Sequence, residues 1–445
     1  MAIWKKLILW GILILDTLPG LYAQDTLSTD QNKWTLQQCI EYAKNHNVQI
    51  NTFRLSQQST QQDLLLSRAS RFPGLSVGVG QSFTRGKNLD QATGTYQNQF
   101  GLSGNYSLNS SVILYNGSFI NNDIKQKTLL VQAANLNILE GENDITLQVT
   151  QAFLNVLLVK ENIVYLKDLL ATTSEQVKRE QQLYDAGSVP KKSLVQMQAQ
   201  YATDKYDLVI ANNSYLQNIL ILKQLLLLSL DTAFDVSGPD SVAVQRIYPA
   251  LSIVERAALQ SRPEVKNSEL NIQVSQLDLE KAKSGLKPTL SAGGALSSNY
   301  STPSGAYFKQ LDNNFFQQLG LTLSVPIFNK RITKTAEEKS RIEIAQTQLD
   351  LQNTKTVLSQ KVEQAYINVL NAESQYDAAV EELKFAEESY RISIEQLKLG
   401  SVNTVELLLQ KNLYVQALQS YTEAKYNTVL YIKIYEFYMG NPITL

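Results

Sequence analysis

Internal repetition is the feature of this sequence that most restricts its fold. The segment Gln-Ala-Phe-Leu-Asn-Val-Leu at 151–157 recurs as Gln-Ala-Tyr-Ile-Asn-Val-Leu at 364–370, an offset of 213 residues. The same offset relates the tripeptide Gly-Ser-Val at 187–189 to the Gly-Ser-Val at 400–402. Landmarks that recur in order at one spacing indicate a structural unit present twice. The chain is therefore predicted to contain two copies of one plan.

The repetition gives two units, 24–229 and 250–445, joined by the segment 230–249. Gly238, Pro239 and Pro249 lie in the joining segment, which predicts a linker with little regular structure. Each unit is predicted to contain a helix, two strands and two long helices, in that order.

The N-terminus has the three parts of a cleavable signal peptide. Lys5 and Lys6 precede an apolar run, Leu7–Leu15, that is too short to span a bilayer as a helix. Leu21-Tyr22-Ala23 is a suitable cleavage site, so residues 1–23 are predicted to be removed. An uncleaved anchor is the alternative.

Four segments alternate apolar residues with Gly, Ser or Asn, which predicts strands with one apolar and one small polar face. Strands of about ten residues are long enough to cross a bilayer when tilted. A soluble antiparallel sheet packed on helices is the alternative. The polar connections 85–99 and 301–314 are predicted to be loops that face the cell exterior. The predicted strands are 75–85, 100–114, 290–300 and 315–327.

Four strands cannot close a barrel by themselves. Inside a bilayer every backbone donor and acceptor must be paired within protein, so an open sheet edge is not tolerated. Several copies of the chain must therefore pool their strands. Two copies would give a barrel of eight strands and three copies a barrel of twelve, and hydrogen bonding alone allows either number.

The remaining segments predict helices far longer than those of ordinary globular proteins. Between 121–184 and again between 333–398 there is no Pro, and the only Gly is Gly141. Sixty-odd helical residues would reach roughly 90–100 Å. Shorter returning helices are predicted at 190–228 and 403–438. Along the helices, residues seven apart form an apolar seam typical of left-handed coiled coils. The seam residues are Val149, Val156, Ile163, Leu170, Val177 and Tyr184 in the first unit and Val362, Val369, Tyr376, Leu383, Tyr390 and Leu397 in the second. A second seam position lies three residues later, at Ala365, Ala372, Ala379 and Ala386 in the second unit. The returning helices have matching seams, through Tyr201 and Leu208 and through Leu407 and Tyr414.

If such helices packed side by side around a cylinder, each would bury the apolar surface on both of its flanks. A soluble coiled-coil rod is the alternative, but it leaves the paired strands unexplained.

The sequence contains no residue set that would support catalysis. It has one Cys, Cys39, and one His, His46, so an internal disulfide and a His-based triad or metal cluster are excluded. Cys39 is predicted to be a core residue and His46 a solvated or capping side chain. The formal net charge of −1 does not indicate a nucleic-acid partner. We therefore expect no enzyme activity, no cofactor and no metal.

Several short motifs, in this order and together with the duplication, carry a family resemblance. They are Arg262-Pro263-Glu264, Val325-Pro326-Ile327-Phe328, the two Gly-Ser-Val turns and the C-terminal Tyr435-Glu436-Phe437-Tyr438-Met439-Gly440. With them, the sequence from 35 to 440 resembles the TolC-like outer-membrane factor family of efflux and type I secretion systems.

The resemblance implies a mainly α fold with membrane β: a homotrimer in which twelve pooled strands form a transmembrane β-barrel, continued by a helical coiled-coil tunnel across the periplasm. The linker and chain ends would form an equatorial belt. Its implied place is the outer membrane of a Gram-negative bacterium, in contact with outer membrane lipid. There it would passively conduct small molecules or secreted polypeptide from an inner-membrane transporter.

The resemblance also assigns roles to the hairpin turns. They would lie at the periplasmic tip and dock a membrane-fusion adaptor protein, although they could equally be turn residues alone. The residues concerned are Gly187, Ser188, Val189, Gly400, Ser401 and Val402.

A carboxylate six residues after the turn glycine closes the tip in the family. That position is Glu406 in the second unit and Ser193 in the first, while Leu409 and Val402 depart from the family pattern. Glu406 is therefore the expected periplasmic gate residue, and a solvated Glu near a helix N-terminus is the alternative. A soluble periplasmic coiled-coil scaffold remains the alternative function.

Overall fold

The computed structural model describes residues 33–89, 94–229, 231–239, 243–302 and 306–445. The predicted signal peptide at 1–23 lies outside the described residues. The elements, in chain order, are β1 Lys33–Trp34, α1 Leu36–His46, α2 Val48–Ala69, β2 Gly74–Leu89, β3 Tyr96–Asn116, α3 Phe119–Asp185, α4 Lys191–Leu226, β4 Asp235–Val236, α5 Leu251–Ser261, α6 Pro263–Ser284, β5 Thr289–Ser301, α7 Tyr307–Asn313, β6 Phe316–Ser324, α8 Ile332–Lys398 and α9 Thr404–Tyr438.

The fold is mainly helical, as predicted, with a small antiparallel sheet. The sheet has the order β2-β3-β5-β6, so each unit contributes one hairpin and the two hairpins pair through β3 and β5. Helices α3 and α4 form an antiparallel hairpin in the first unit, and α8 and α9 form its counterpart in the second.

Helices α3 and α8 have 67 residues each, which corresponds to about 100 Å. Their bounds lie within two residues of the segments 121–184 and 333–398. Along the seam Val149, Val156 and Val369 are completely buried, which is the burial that a heptad repeat requires. None of the described helices combines the length and apolarity needed to cross a bilayer.

The first strand pair is longer than the sequence pattern indicated. Pairing runs without a break from Gly74 opposite Ser111 to Leu89 opposite Tyr96. Most of the segment predicted as the loop 85–99 is therefore strand. The loop prediction was wrong because the apolar alternation stops near residue 85, whereas backbone pairing between strands does not require apolar side chains.

In the second strand pair, the connection between the strands and the length of β6 differ from the prediction. Helix α7 lies within the segment predicted as the loop 301–314, and β6 ends at Ser324 rather than at residue 327. Pro326 has no backbone N–H for the ladder, which explains the early end.

The single helix predicted at the start of each unit is two helices. In the first unit the break is at Asn47, whose Oδ1 accepts hydrogen bonds from the amides of Gln49 and Ile50 at 2.8 and 3.1 Å. In the second unit α5 ends at Ser261 and Pro263 starts α6, a position at which the absent N–H is not needed.

The linker also has some regular structure, because β4 pairs in parallel with β1 near the N-terminus.

The main apolar core lies between α1, α3, α4 and α9, near the middle of the long helices. Phe153 and Cys39 are both fully buried in it. Burial raises the pKa of the Cys39 thiol to about 12, as expected of a core residue rather than a reactive one. His46 is exposed at the end of α1, with Nδ1 2.9 Å from the carbonyl oxygen of Tyr42.

Candidate functional site at the ends of the helical hairpins

The two long hairpins end in the same turn. Gly187 has a φ of +73° and Gly400 a φ of +70°, a conformation that strains any residue with a Cβ atom. The amide of Ser188 donates to the carbonyl of Leu183 at 2.8 Å, and the amide of Ser401 donates to that of Gln396 at 3.0 Å. These bonds satisfy the last carbonyls of α3 and α8 in a Schellman-type cap. The glycines are therefore required by backbone conformation.

The turn residues are the outermost residues of the hairpins. Gly187, Ser188, Gly400 and Ser401 are exposed. The remaining two predicted tip residues, Val189 and Val402, are half-buried and line a cavity behind the turns.

That cavity has a volume of about 580 Å³ and lies between the two hairpins. Residues of α3, α4, α8 and α9 line it, together with both turns. Ser193, the first-unit counterpart of the predicted gate residue, belongs to this lining, whereas Glu406 does not. The structure thus gathers Ser193, Val189 and Val402 around one space.

Glu406 lies in the first turn of α9 and is half-buried. Its amide donates to the Asn403 side chain, which caps the helix, at 3.0 Å. Its carboxylate Oε1 accepts from Gln410 Nε2 at 2.9 Å, and Gln410 in turn accepts from Ser389 of α8 at 2.8 Å. A carboxylate at this place is favoured by the helix dipole.

A second carboxylate, which the sequence pattern did not single out, lies at this end of the molecule. Glu180 of α3 lines the same cavity and is only 6% exposed. Burial raises its pKa, while a hydrogen bond with Thr404 and the positive charge of Arg179 act in the opposite direction. Glu180 falls 31 residues after Val149, at the second seam position of the heptad repeat. A charged residue at an otherwise apolar seam position is the sequence signal that could have identified Glu180.

A fully buried ion pair joins the two hairpins farther from the turns. The Lys411 ammonium on α9 contacts the Asp204 carboxylate on α4, and donates to Thr173 Oγ1 on α3 at 2.6 Å. Asp204 also accepts from Thr173 at 2.5 Å and from Gln200 at 2.9 Å. Lys411 and Thr173 are 0% exposed and Asp204 is 3% exposed. Burial lowers the pKa of Lys411, and the contact with Asp204 opposes that shift.

A second ion pair between the hairpins lies nearer the core. Lys425 Nζ of α9 is 3.0 Å from Glu161 Oε1 of α3, and Tyr165 donates to the same oxygen at 2.7 Å. Burial acts to raise the pKa of Glu161, but the hydrogen bonds from Tyr165 and Lys425 outweigh it and lower that pKa. The first ion pair holds α9 against α4, and the second holds α9 against α3.

At the other end of the molecule, the sheet has two unlike faces. Leu75, Val77, Val79 and Phe83 point to one face and are 67–74% exposed. Ser76, Gly78, Gly80 and Ser82 alternate with them and occupy the opposite face. Among the described residues, β2 and β6 each pair on one side only, so both edges of the sheet are open.

Within the described part of the chain, no group of three or more His, Cys, Asp or Glu side chains could hold a metal ion.

Comparisons with known proteins agree with this architecture. The family model described as outer membrane efflux protein matches residues 39–226 and 255–430. No curated protein sequence matches the chain. Among solved structures, CusC is 16% identical, with 96% of this chain and 97% of CusC covered and a TM-score of 0.79.

Two further solved structures have the same fold. The CmeC outer membrane channel of Campylobacter jejuni is 16% identical, with coverages of 91% and 86% and a TM-score of 0.75. The outer membrane protein VceC of Vibrio cholerae is 13% identical, with coverages of 91% and 96% and a TM-score of 0.75.

Proposed function

This chain belongs to the outer membrane efflux protein family, and we propose that it is the outer membrane channel of a tripartite efflux system. The four-stranded sheet is the observation that carries the proposal. It exposes an apolar face to its surroundings and has a small polar face behind it, as the wall of a water-filled barrel in lipid does. A soluble periplasmic scaffold is not favoured, because it would leave this apolar face in water.

The open edges of the sheet support a homotrimer. In lipid the unpaired groups along β2 and β6 need partners, and β2 of one copy can pair with β6 of the next. Three copies would close a barrel of twelve strands, the number that the family resemblance implies. The long helices would then continue the barrel as a tunnel through the periplasm.

The hairpin turns are the proposed contact with a periplasmic adaptor. Gly187, Ser188, Gly400 and Ser401 are exposed, as a docking surface must be. Val189 and Val402 border the cavity between the hairpins, which gives a partner apolar surface beside the turns. Energy would come from an inner-membrane transporter that this chain reaches through the adaptor. A type I secretion system would use the same parts.

The proposal predicts a heat-modifiable trimer in the outer membrane fraction. Samples of the purified protein run on SDS gels without heating should migrate as a trimer, because a closed barrel has no free strand edge at which to unravel. Heating to about 95 °C should convert this band to the monomer. A protein that remains in the soluble periplasmic fraction, or a monomer before heating, would contradict the proposal.

Glu406 is the proposed gate residue. In a trimer its carboxylate would occur three times around the axis, near the entrance of the tunnel. The half-buried position and the single hydrogen bond from Gln410 leave the second carboxylate oxygen available to ions. Ser193 would supply no charge at the equivalent place in the first unit.

Replacing Glu406 with Gln is expected to reduce cation selectivity and to weaken blockade by trivalent cations by tenfold or more, since the substitution removes three charges from one constriction. Conductance of single trimers in planar bilayers measures both effects. Glu381→Gln, an exposed site on α8, is the matched control and should leave both unchanged. Equal behaviour of the two variants would reject the gate assignment.

A further inference from the structure

The charged residues of the four-stranded sheet occupy one small region. Strands β2, β3, β5 and β6 together contain two charged residues, Arg85 and Lys87, and both are exposed. They lie near the end of β2 that is remote from the long helices α3 and α8. Neither has an ion-pair partner among the described residues.

Their position in the alternation places both side chains on the apolar face. Residues 75, 77, 79, 81, 83, 85 and 87 share one side of the strand because successive side chains alternate. Gln81 is the uncharged polar residue among them, and its amide donates to the hydroxyl of Tyr106 and accepts from that of Tyr300. A lumen-facing role, such as contact with exported molecules, is therefore ruled out by parity. The two cations face the surroundings of the barrel.

The apolar run that precedes them has the length of a membrane crossing. From Leu75 to Arg85 the strand advances ten residues, or about 34 Å, which a tilt near 40° reduces to about 25 Å along the membrane normal. Arg85 and Lys87 then fall at the outer boundary between hydrocarbon and headgroups.

Aromatic rings accompany the two cations on the same face. Arg85 lies directly opposite Phe100 in the ladder, and the rings of Phe100 and Phe83 are 6.3 Å apart. Tyr96, opposite Leu89, is 73% exposed. Aromatic residues mark the interfacial girdle of membrane barrels. The girdle and the charges thus coincide.

We propose that Arg85 and Lys87 form a binding surface for the phosphate-bearing headgroups of lipids in the outward leaflet. The inference rests on the proposed function, because it requires the sheet to lie in a membrane. The guanidinium of Arg85 suits a phosphate in two-point contact, and the Lys87 ammonium adds a second positive charge beside it. The acyl chains of the same lipid would lie along Val79, Val77 and Leu75.

The test is lipid binding to the purified detergent-solubilised trimer, followed by native mass spectrometry. Phosphatidic acid is the anionic probe and phosphatidylcholine the zwitterionic one. The double variant Arg85→Gln, Lys87→Gln should weaken phosphatidic acid binding about thirtyfold, at about fivefold per charge near a membrane surface. Phosphatidylcholine binding should not change.

The matched control removes an equal charge elsewhere. Lys191 and Lys192 are adjacent, exposed and at the opposite end of the molecule, so Lys191→Gln, Lys192→Gln should bind phosphatidic acid as the native protein does. Unchanged binding by the Arg85 and Lys87 variant, or an equal loss in the control, would overturn the inference. So would inorganic phosphate binding at the same site with the same affinity as the lipid.

Heat-modifiable migration of each variant separates this proposal from the function itself. If the Arg85→Gln, Lys87→Gln variant forms a normal trimer and binds phosphatidic acid as tightly as the native protein does, only the proposed lipid-binding surface is refuted. Failure of the native protein to form a membrane trimer refutes the proposed function.

Discussion

Replacing Lys411 with Met is expected to destabilise the helical hairpins by about 3–5 kcal/mol, the usual cost of removing one partner of a buried ion pair. The Asp204 carboxylate would remain 3% exposed with no cation beside it, held only by hydrogen bonds from Thr173 and Gln200. A methionine fills nearly the same volume, so the loss reports charge rather than packing. Urea unfolding of the solubilised protein, followed by helical circular dichroism, measures the change.

The double variant Lys411→Met, Asp204→Leu provides the decisive comparison. Removing both charges leaves no unpaired ion, so most of the lost stability should return, to within about 1 kcal/mol of the native value. Thr173 keeps a partner in this variant, because its hydroxyl can donate instead to the carbonyl oxygen of Leu169, which lies 2.9 Å away. A double variant as unstable as Lys411→Met would show that the charge pair is not the source of the effect.

Replacing Val79 with Arg is expected to cost about 2–4 kcal/mol of barrel stability if this face meets lipid, the known penalty for arginine near the bilayer midplane of a membrane barrel. Val79 lies at the centre of the apolar run of β2 and is 67% exposed. Folding into vesicles in a urea series measures the penalty, and outer membrane fractionation reports whether the trimer still assembles.

Ser82→Arg is the matched control, three residues along the same strand and on the opposite face. In a barrel with a wet lumen this arginine is hydrated, so the variant should assemble normally and change only ion conduction. Equal destabilisation by both arginines would indicate that neither face meets water. No penalty at Val79 would indicate that the apolar face does not meet lipid.

The periodic parts of the fold were predictable because every heptad repeats the same pattern of apolar residues. A helix of 67 residues repeats its heptad signal many times, so the bounds of α3 and α8 came out within two residues. The turn glycines were equally predictable, since positive φ values at Gly187 and Gly400 reflect a local requirement of the backbone.

Irregular elements were less predictable, because tertiary contacts decide them. Pairing beyond residue 85 depends on the partner strand, and α7 packs against β5 through a hydrogen bond from Ser298 Oγ to the carbonyl of Leu311 at 2.6 Å. The parallel pair of β1 and β4 joins residues about 200 positions apart, which no local pattern reveals.

The sequence by itself determined the duplication, the long helices and the two-faced strands, since periodicity is a local rule. Only the tertiary structure showed which polar seam residues meet. Thr173, Asp204 and Lys411 each occupy a seam position of a different helix, and their charges are tolerable only because the packing of three helices brings them into contact. The register between hairpins, which no single helix encodes, decides that contact.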